Sequence, residues 1–192
     1  MSVLQRHAQN LLTSVDTAEE NNAVSAFLET VTFASHSDIA ALLHDHLPSV
    51  LPDWAINISR RLANLSDIDS SPADTAGKEV LSTGVEELIS AAQWVIGAPK
   101  SETMRARARF VNLLSTADAE VIVTMLNHEF EKDWMALPVW ARNLSFRLAC
   151  LQKPNDADLL RQAGADLLCF GPDWDSIAND LLDRARFLAG NA

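Results

Sequence analysis

Leu51-Pro52-Asp53-Trp54-Ala55-Ile56-Asn57-Ile58-Ser59-Arg60-Arg61-Leu62-Ala63-Asn64-Leu65 returns 86 residues later as Leu137-Pro138-Val139-Trp140-Ala141-Arg142-Asn143-Leu144-Ser145-Phe146-Arg147-Leu148-Ala149-Cys150-Leu151, with ten of fifteen positions identical. A match of that length at one offset marks an internal duplication, the feature to look for before any element is assigned. Trp54, Ile58, Leu62 and Leu65 in the first stretch, and Trp140, Leu144, Leu148 and Leu151 in the second, recur at i, i+4, i+8 and i+11. That spacing is one face of an α-helix. Pro52 and Pro138 stand at the helix start, where a missing N–H loses no hydrogen bond.

The likeness extends outward from this core. Upstream, at an offset of 83, Phe27, Ile39, Leu42, Leu43 and Leu47 answer to Phe110, Ile122, Met125, Leu126 and Phe130. Downstream, at an offset of 87, Ala76-Gly77, Val80-Leu81 and Gly84 answer to Ala163-Gly164, Leu167-Leu168 and Gly171. Apolar positions are kept while polar ones drift, because burial restricts side-chain size and polarity more than exposure does.

The periodicity predicts helices near 18–33, 37–47, 52–65, 74–82 and 85–97 in a first unit, and near 102–115, 118–131, 138–151, 156–168 and 173–189 in a second. A further helix at 3–14 leads the first unit, its Ala8-Gln9-Asn10-Leu11-Leu12 echoing Ala92-Gln93-Trp94-Val95-Ile96. Gly84 and Gly171 fit helix stops, and Asp118 and Asp156 fit N-caps. The fold class is therefore all-α, a tandem duplication of a unit of roughly 85 residues, an antiparallel helical stack of the solenoid or bundle kind. In general outline it resembles HEAT and TPR arrays, without a motif specific to either. Residues 1–98 form the N-terminal repeat with its leading cap helix and 99–192 the C-terminal repeat, packed as one body.

Composition supports helices: apolar residues make up 48% of the 192, and Tyr is absent. Cys150 and Cys169 form neither a CxxC pair nor part of a ligand cluster, which reads as two reduced thiols of a cytoplasmic protein. No run approaches the roughly 18 apolar residues needed to cross a bilayer, and the polar start Gln5-Arg6-His7 predicts no leader. The net charge of −11 is unevenly shared: residues 1–98 carry 4 basic and 13 acidic groups, residues 99–192 carry 11 and 13. Such a field repels nucleic-acid phosphates and acidic lipid. It favours a protein partner of basic character.

Four groups of side chains are candidates for function. Asn57 with Arg61, and Asn143 with Arg147, stand one helical turn apart on the flank of the duplicated stripe. They fit either two equivalent binding positions or guanidinium groups that satisfy carbonyls at a neighbouring helix end. Trp54, Trp140 and Trp174 read as packing anchors. Glu19, Glu20, Asp38, Asp45 and Asp53 make the first unit an acidic docking face. The His44-Asp45 dipeptide with His46, His128 and Glu129 brings a metal to mind, but residues two apart on a helix point about 200° apart and cannot grip one ion. Neither a nucleotide-binding glycine loop nor a nucleophile elbow is present, and no metal or cofactor is implied. The sequence thus favours a non-catalytic protein-interaction module, possessing a groove or acidic face, of the inhibitor, immunity or adaptor type. The competing reading is a small-molecule binder or enzyme with its pocket between the two repeats.

Overall fold

The computed structural model describes residues 2–14, 17–44, 50–66 and 83–190. These form the helices α1 (Val3–Thr13), α2 (Thr17–Phe33), α3 (His36–His44), α4 (Asp53–Ser66), α5 (Val85–Gly97), α6 (Thr103–Thr116), α7 (Ala119–Asp133), α8 (Val139–Gln152), α9 (Ala157–Leu167) and α10 (Asp175–Gly190). Two 3-10 turns, Leu168–Phe170 and Pro172–Trp174, join α9 to α10. No strand occurs among the described residues, so the all-α class holds. The helix expected at 74–82 lies outside them, as do Asp45, His46 and Leu47.

Local chemistry accounts for where helices begin. At α1, Ser2 closes a capping box: its hydroxyl accepts from the Gln5 amide at 3.2 Å while the Gln5 side chain accepts from the Ser2 amide at 2.8 Å. Asp156 caps α9 by accepting from the Leu159 amide at 3.0 Å. Asp118 occupies the N-cap position of α7. Gly84, expected at a helix stop, stands at the N-cap of α5. Gly171 carries φ of 103° between the two 3-10 turns, a conformation that a side chain would strain.

Burial on α4 and α8 follows the sequence match. Trp54, Ala55, Ile58, Ser59, Leu62 and Ala63 are buried on α4, and Trp140, Ala141, Leu144, Ser145, Leu148 and Ala149 on α8. Ser59 and Ser145 each return a hydrogen bond of 2.7 Å to the carbonyl four residues back. Trp54 meets the edge of Phe27 with centroids 5.9 Å apart at 78°, and Trp140 meets Phe110 at 6.0 Å and 78°. Ile39, Leu42, Ile122 and Met125 are likewise fully buried.

The two helices differ in how much else they bury. Arg142, Asn143, Phe146 and Cys150 are also buried on α8, whereas their counterparts Ile56, Asn57, Arg60 and Asn64 on α4 are partly or wholly exposed. The reason is enclosure: α8 packs against α2, α4, α7 and α9, so nearly its whole circumference faces protein. Helix pairing elsewhere is reciprocal. α1 packs on α2 and α5 on α6, α3 on α4 and α7 on α8, α4 on α6 and α8 on α2.

Candidate functional site

Two polar constellations lie inside the second half, both on α8. The first surrounds Arg142, which is 1% exposed. Its guanidinium pairs with Asp166 of α9 and sits 5.1 Å from the ring centroids of Phe130 and Trp134 and 4.9 Å from that of Phe170. A planar, weakly hydrated guanidinium suits such a box, since three ring faces replace part of its lost hydration. Burial pushes the Asp166 carboxyl above its ordinary range, and the hydrogen bond from Arg142 opposes that. Trp134 and Met135, 49% and 55% exposed, form the outer wall of this box at the α7–α8 connection.

The second constellation is a cavity of about 30 Å³ bounded by Phe33 of α2, by Asn143, Phe146, Arg147 and Cys150 of α8, and by residues of α9 and α10. Asn143 is 3% exposed, yet neither its amide nitrogen nor its carbonyl oxygen has a hydrogen-bond partner among the described residues. The same is true of Nε of Arg147. Desolvation lowers the Arg147 pKa, and the nearby Cys150 thiol opposes the shift when ionised. Burial in turn pushes the Cys150 thiol up to about 12, so at neutral pH it supplies no counter-charge.

The corresponding pair on α4 is placed differently. Asn57 is exposed and donates to Oδ1 of Asn112 on α6 at 3.2 Å. With Arg61 and Asp53 it lines an open surface groove between α4 and α6. The structure therefore does not bring Asn57 and Arg61 together with Asn143 and Arg147 in one pocket. Nor does either guanidinium reach a helix-end carbonyl among the described residues. Arg107 instead donates to the carbonyl of Asn21, within the body of α2, at 2.8 Å and lies 5.8 Å from the Trp140 centroid.

The candidate acidic residues stand at helix starts. Glu19 and Glu20 lie in the first turn of α2, Asp38 in that of α3 and Asp53 in that of α4, where a carboxylate complements the helix dipole. Oδ2 of Asp38 accepts from the Ser35 hydroxyl at 2.7 Å. Asp45 lies outside the described residues. Trp174 is half-buried and packs on Phe33 with centroids 4.7 Å apart.

Identity between the two stretches does not single out the Arg142–Asp166 pair, since Arg142 stands where the first has Ile56. The signal in the sequence is an arginine amid the buried-type neighbours Trp140, Ala141 and Leu144. Among the described residues no group of three His, Cys, Asp or Glu side chains is placed to hold a metal ion, and no helix is long and apolar enough to cross a membrane. No family model matches the chain, and neither a curated protein nor a solved structure matches it.

Proposed function

We propose that this is a non-catalytic binding protein that docks a basic protein partner on the acidic surface of its first half. One observation carries this reading: the first half holds 4 basic against 13 acidic residues and the second 11 against 13, so first-half carboxylates have fewer cations of their own to meet. In the second half Glu120 pairs with Lys153, Glu129 with Lys132, Asp158 with Arg161, Asp166 with Arg142 and Asp183 with Arg186, while Glu131, Asp173, Asp175 and Asp180 are exposed with no ion pair among the described residues. In the first half Glu20, Glu29, Asp53 and Glu86 form no ion pair with a described cation, and three of these four side chains are exposed. Uncompensated exposed carboxylates keep their attraction for an incoming cationic surface and steer its approach.

The scaffold reading that goes with it is two copies of one helical unit. The six matched buried positions of α4 and α8, and the two Phe–Trp pairs with equal geometry, support this. So does the crossed pairing of α4 with α6 and α8 with α2, since reciprocal contacts are what a two-fold relation between like units produces. It favours the bundle form over the linear stack, in which a unit touches only its sequence neighbour.

The test begins with capture of a partner from the native host at low salt, followed by titration from about 50 to about 500 mM salt, over which the Debye length falls to roughly 4 Å. Affinity is expected to drop at least about tenfold, and the combined variant Glu20→Lys, Glu29→Lys, Asp53→Lys, Glu86→Lys to lose binding while remaining helical. Binding that ignores both salt and charge reversal refutes the acidic face.

A further inference from the structure

We infer that the cavity between α2, α8, α9 and α10 is a binding site for a small carboxylate, held by Arg147 and the Asn143 amide. The inference is independent of the acidic face and concerns a different surface of the molecule. Three observations converge on it.

Asn143 is the first. Its side chain is nearly fully buried, borders the cavity, and has both amide atoms unpartnered among the described residues. Leaving a buried amide unpaired costs about 1–3 kcal/mol, so an occupant that pairs with it is favoured. A water molecule alone would meet that need.

Arg147 is the second, and it separates the two occupants. Its Nε is buried without a partner among the described residues, and no described carboxylate pairs with its guanidinium. Water satisfies an N–H but leaves the charge uncompensated. An anion does both, and a guanidinium edge presents two parallel donors that match the two oxygens of a carboxylate. One oxygen then accepts from Nε of Arg147, and the amide nitrogen of Asn143 supplies a further donor.

Size and lining are the third. The cavity of about 30 Å³ holds roughly two water-sized groups, at ~10–15 Å³ each. That space matches the two oxygens of a carboxylate. Phe33, Leu167 and Leu181 give the remaining wall an apolar character, which suits a methyl or short alkyl group rather than a second charge. Formate and acetate have this chemistry.

The test uses the whole protein and two probes, sodium acetate and sodium chloride, at matched ionic strength. The side-chain NH₂ resonances of Asn143 are followed by NMR, and the thermal midpoint is measured in parallel. Acetate is expected to shift the Asn143 resonances saturably below about 100 mM and to raise the midpoint, as a ligand specific to the folded state must. Arg147→Met should weaken acetate binding at least about tenfold, the loss of one charge-assisted contact, and Arg147→Lys should restore part of it.

Three results overturn the inference. One is an Asn143 signal that acetate leaves unmoved in the wild-type protein, as a water-filled cavity would give. Another is an equal shift with chloride, which would reduce the site to an unselective anion contact. The last is an Arg147→Met variant that binds acetate as tightly as wild type. The first two need no variant, so a misfolded Arg147→Met protein leaves the inference falsifiable.

Discussion

The two Phe–Trp contacts offer a quantitative comparison of the halves through paired double-mutant cycles. One cycle combines Phe27→Leu with Trp54→Leu, the other Phe110→Leu with Trp140→Leu. Trp54 and Trp140 are 6% and 4% exposed, so each Trp→Leu should cost roughly 2–3 kcal/mol, somewhat less than the 3–5 of a full truncation to Ala. The single costs should nevertheless differ. The indole N–H of Trp140 is buried without a partner among the described residues, a penalty of about 1–3 kcal/mol; the Arg107 guanidinium near the ring returns only about 0.5–1. Trp140→Leu should therefore be the milder change. The coupling energies are another matter, because centroid distances of 5.9 and 6.0 Å and a shared angle of 78° make the ring–ring interactions alike. Both should fall at about 0.5–1.5 kcal/mol and agree within about 0.5. Urea unfolding followed by far-UV circular dichroism measures them. Couplings that differ by more than about 1 kcal/mol would refute the claim that the two halves use one packing scheme.

Other substitutions probe the second half. Asp166→Asn leaves the buried Arg142 charge without its counter-ion and should cost about 3–5 kcal/mol, whereas Arg142→Met with Asp166→Leu should restore much of that stability; denaturant midpoints distinguish these outcomes. At Gly164 an added Cβ would stand 2.8 Å from Cγ of Leu182 and 2.9 Å from the Ala178 carbonyl, so Gly164→Ala should destabilise by about 1–3 kcal/mol. Gly97→Ala, with nothing within 4 Å, should be neutral or stabilising by about 0.5 kcal/mol. Cys169, exposed, should react with a thiol reagent in the native state, and Cys150, buried, only after unfolding. Because burial raises the Cys150 pKa to about 12 from the ordinary thiol value of 9.0, the unfolded state releases its proton first as pH rises. Its contribution is complete below about pH 9 and falls by roughly 1.4 kcal/mol per unit above it, and Cys150→Ala should flatten that limb of the unfolding profile.

Helix content and helix limits were legible because each rests on short-range physics. The i, i+4, i+8 stripes of Trp54 and Trp140, the prolines before α4 and α8, and the cap at Asp156 are all set within one or two turns of chain, and α4 and α8 start and end within a residue of where periodicity puts them. The sequence match added long-range information of one kind: it aligns Phe27 with Phe110 and Ile39 with Ile122, and these positions are buried alike.

Equivalence of position did not settle the environment of the polar side chains. Asn57 and Asn143 share a place in the repeated stretch, yet one hydrogen-bonds Asn112 at the surface and the other is sealed against α2, α9 and α10. Ile56 and Arg142 share another, and only the second is enclosed by Phe130, Trp134 and Phe170. By itself the sequence determined which residues form helices and which face of each is apolar, since the spacing of side chains along one helix decides both. Tertiary structure alone decided which polar groups lose contact with water and which neighbours they meet, because desolvation depends on helices brought together from distant parts of the chain.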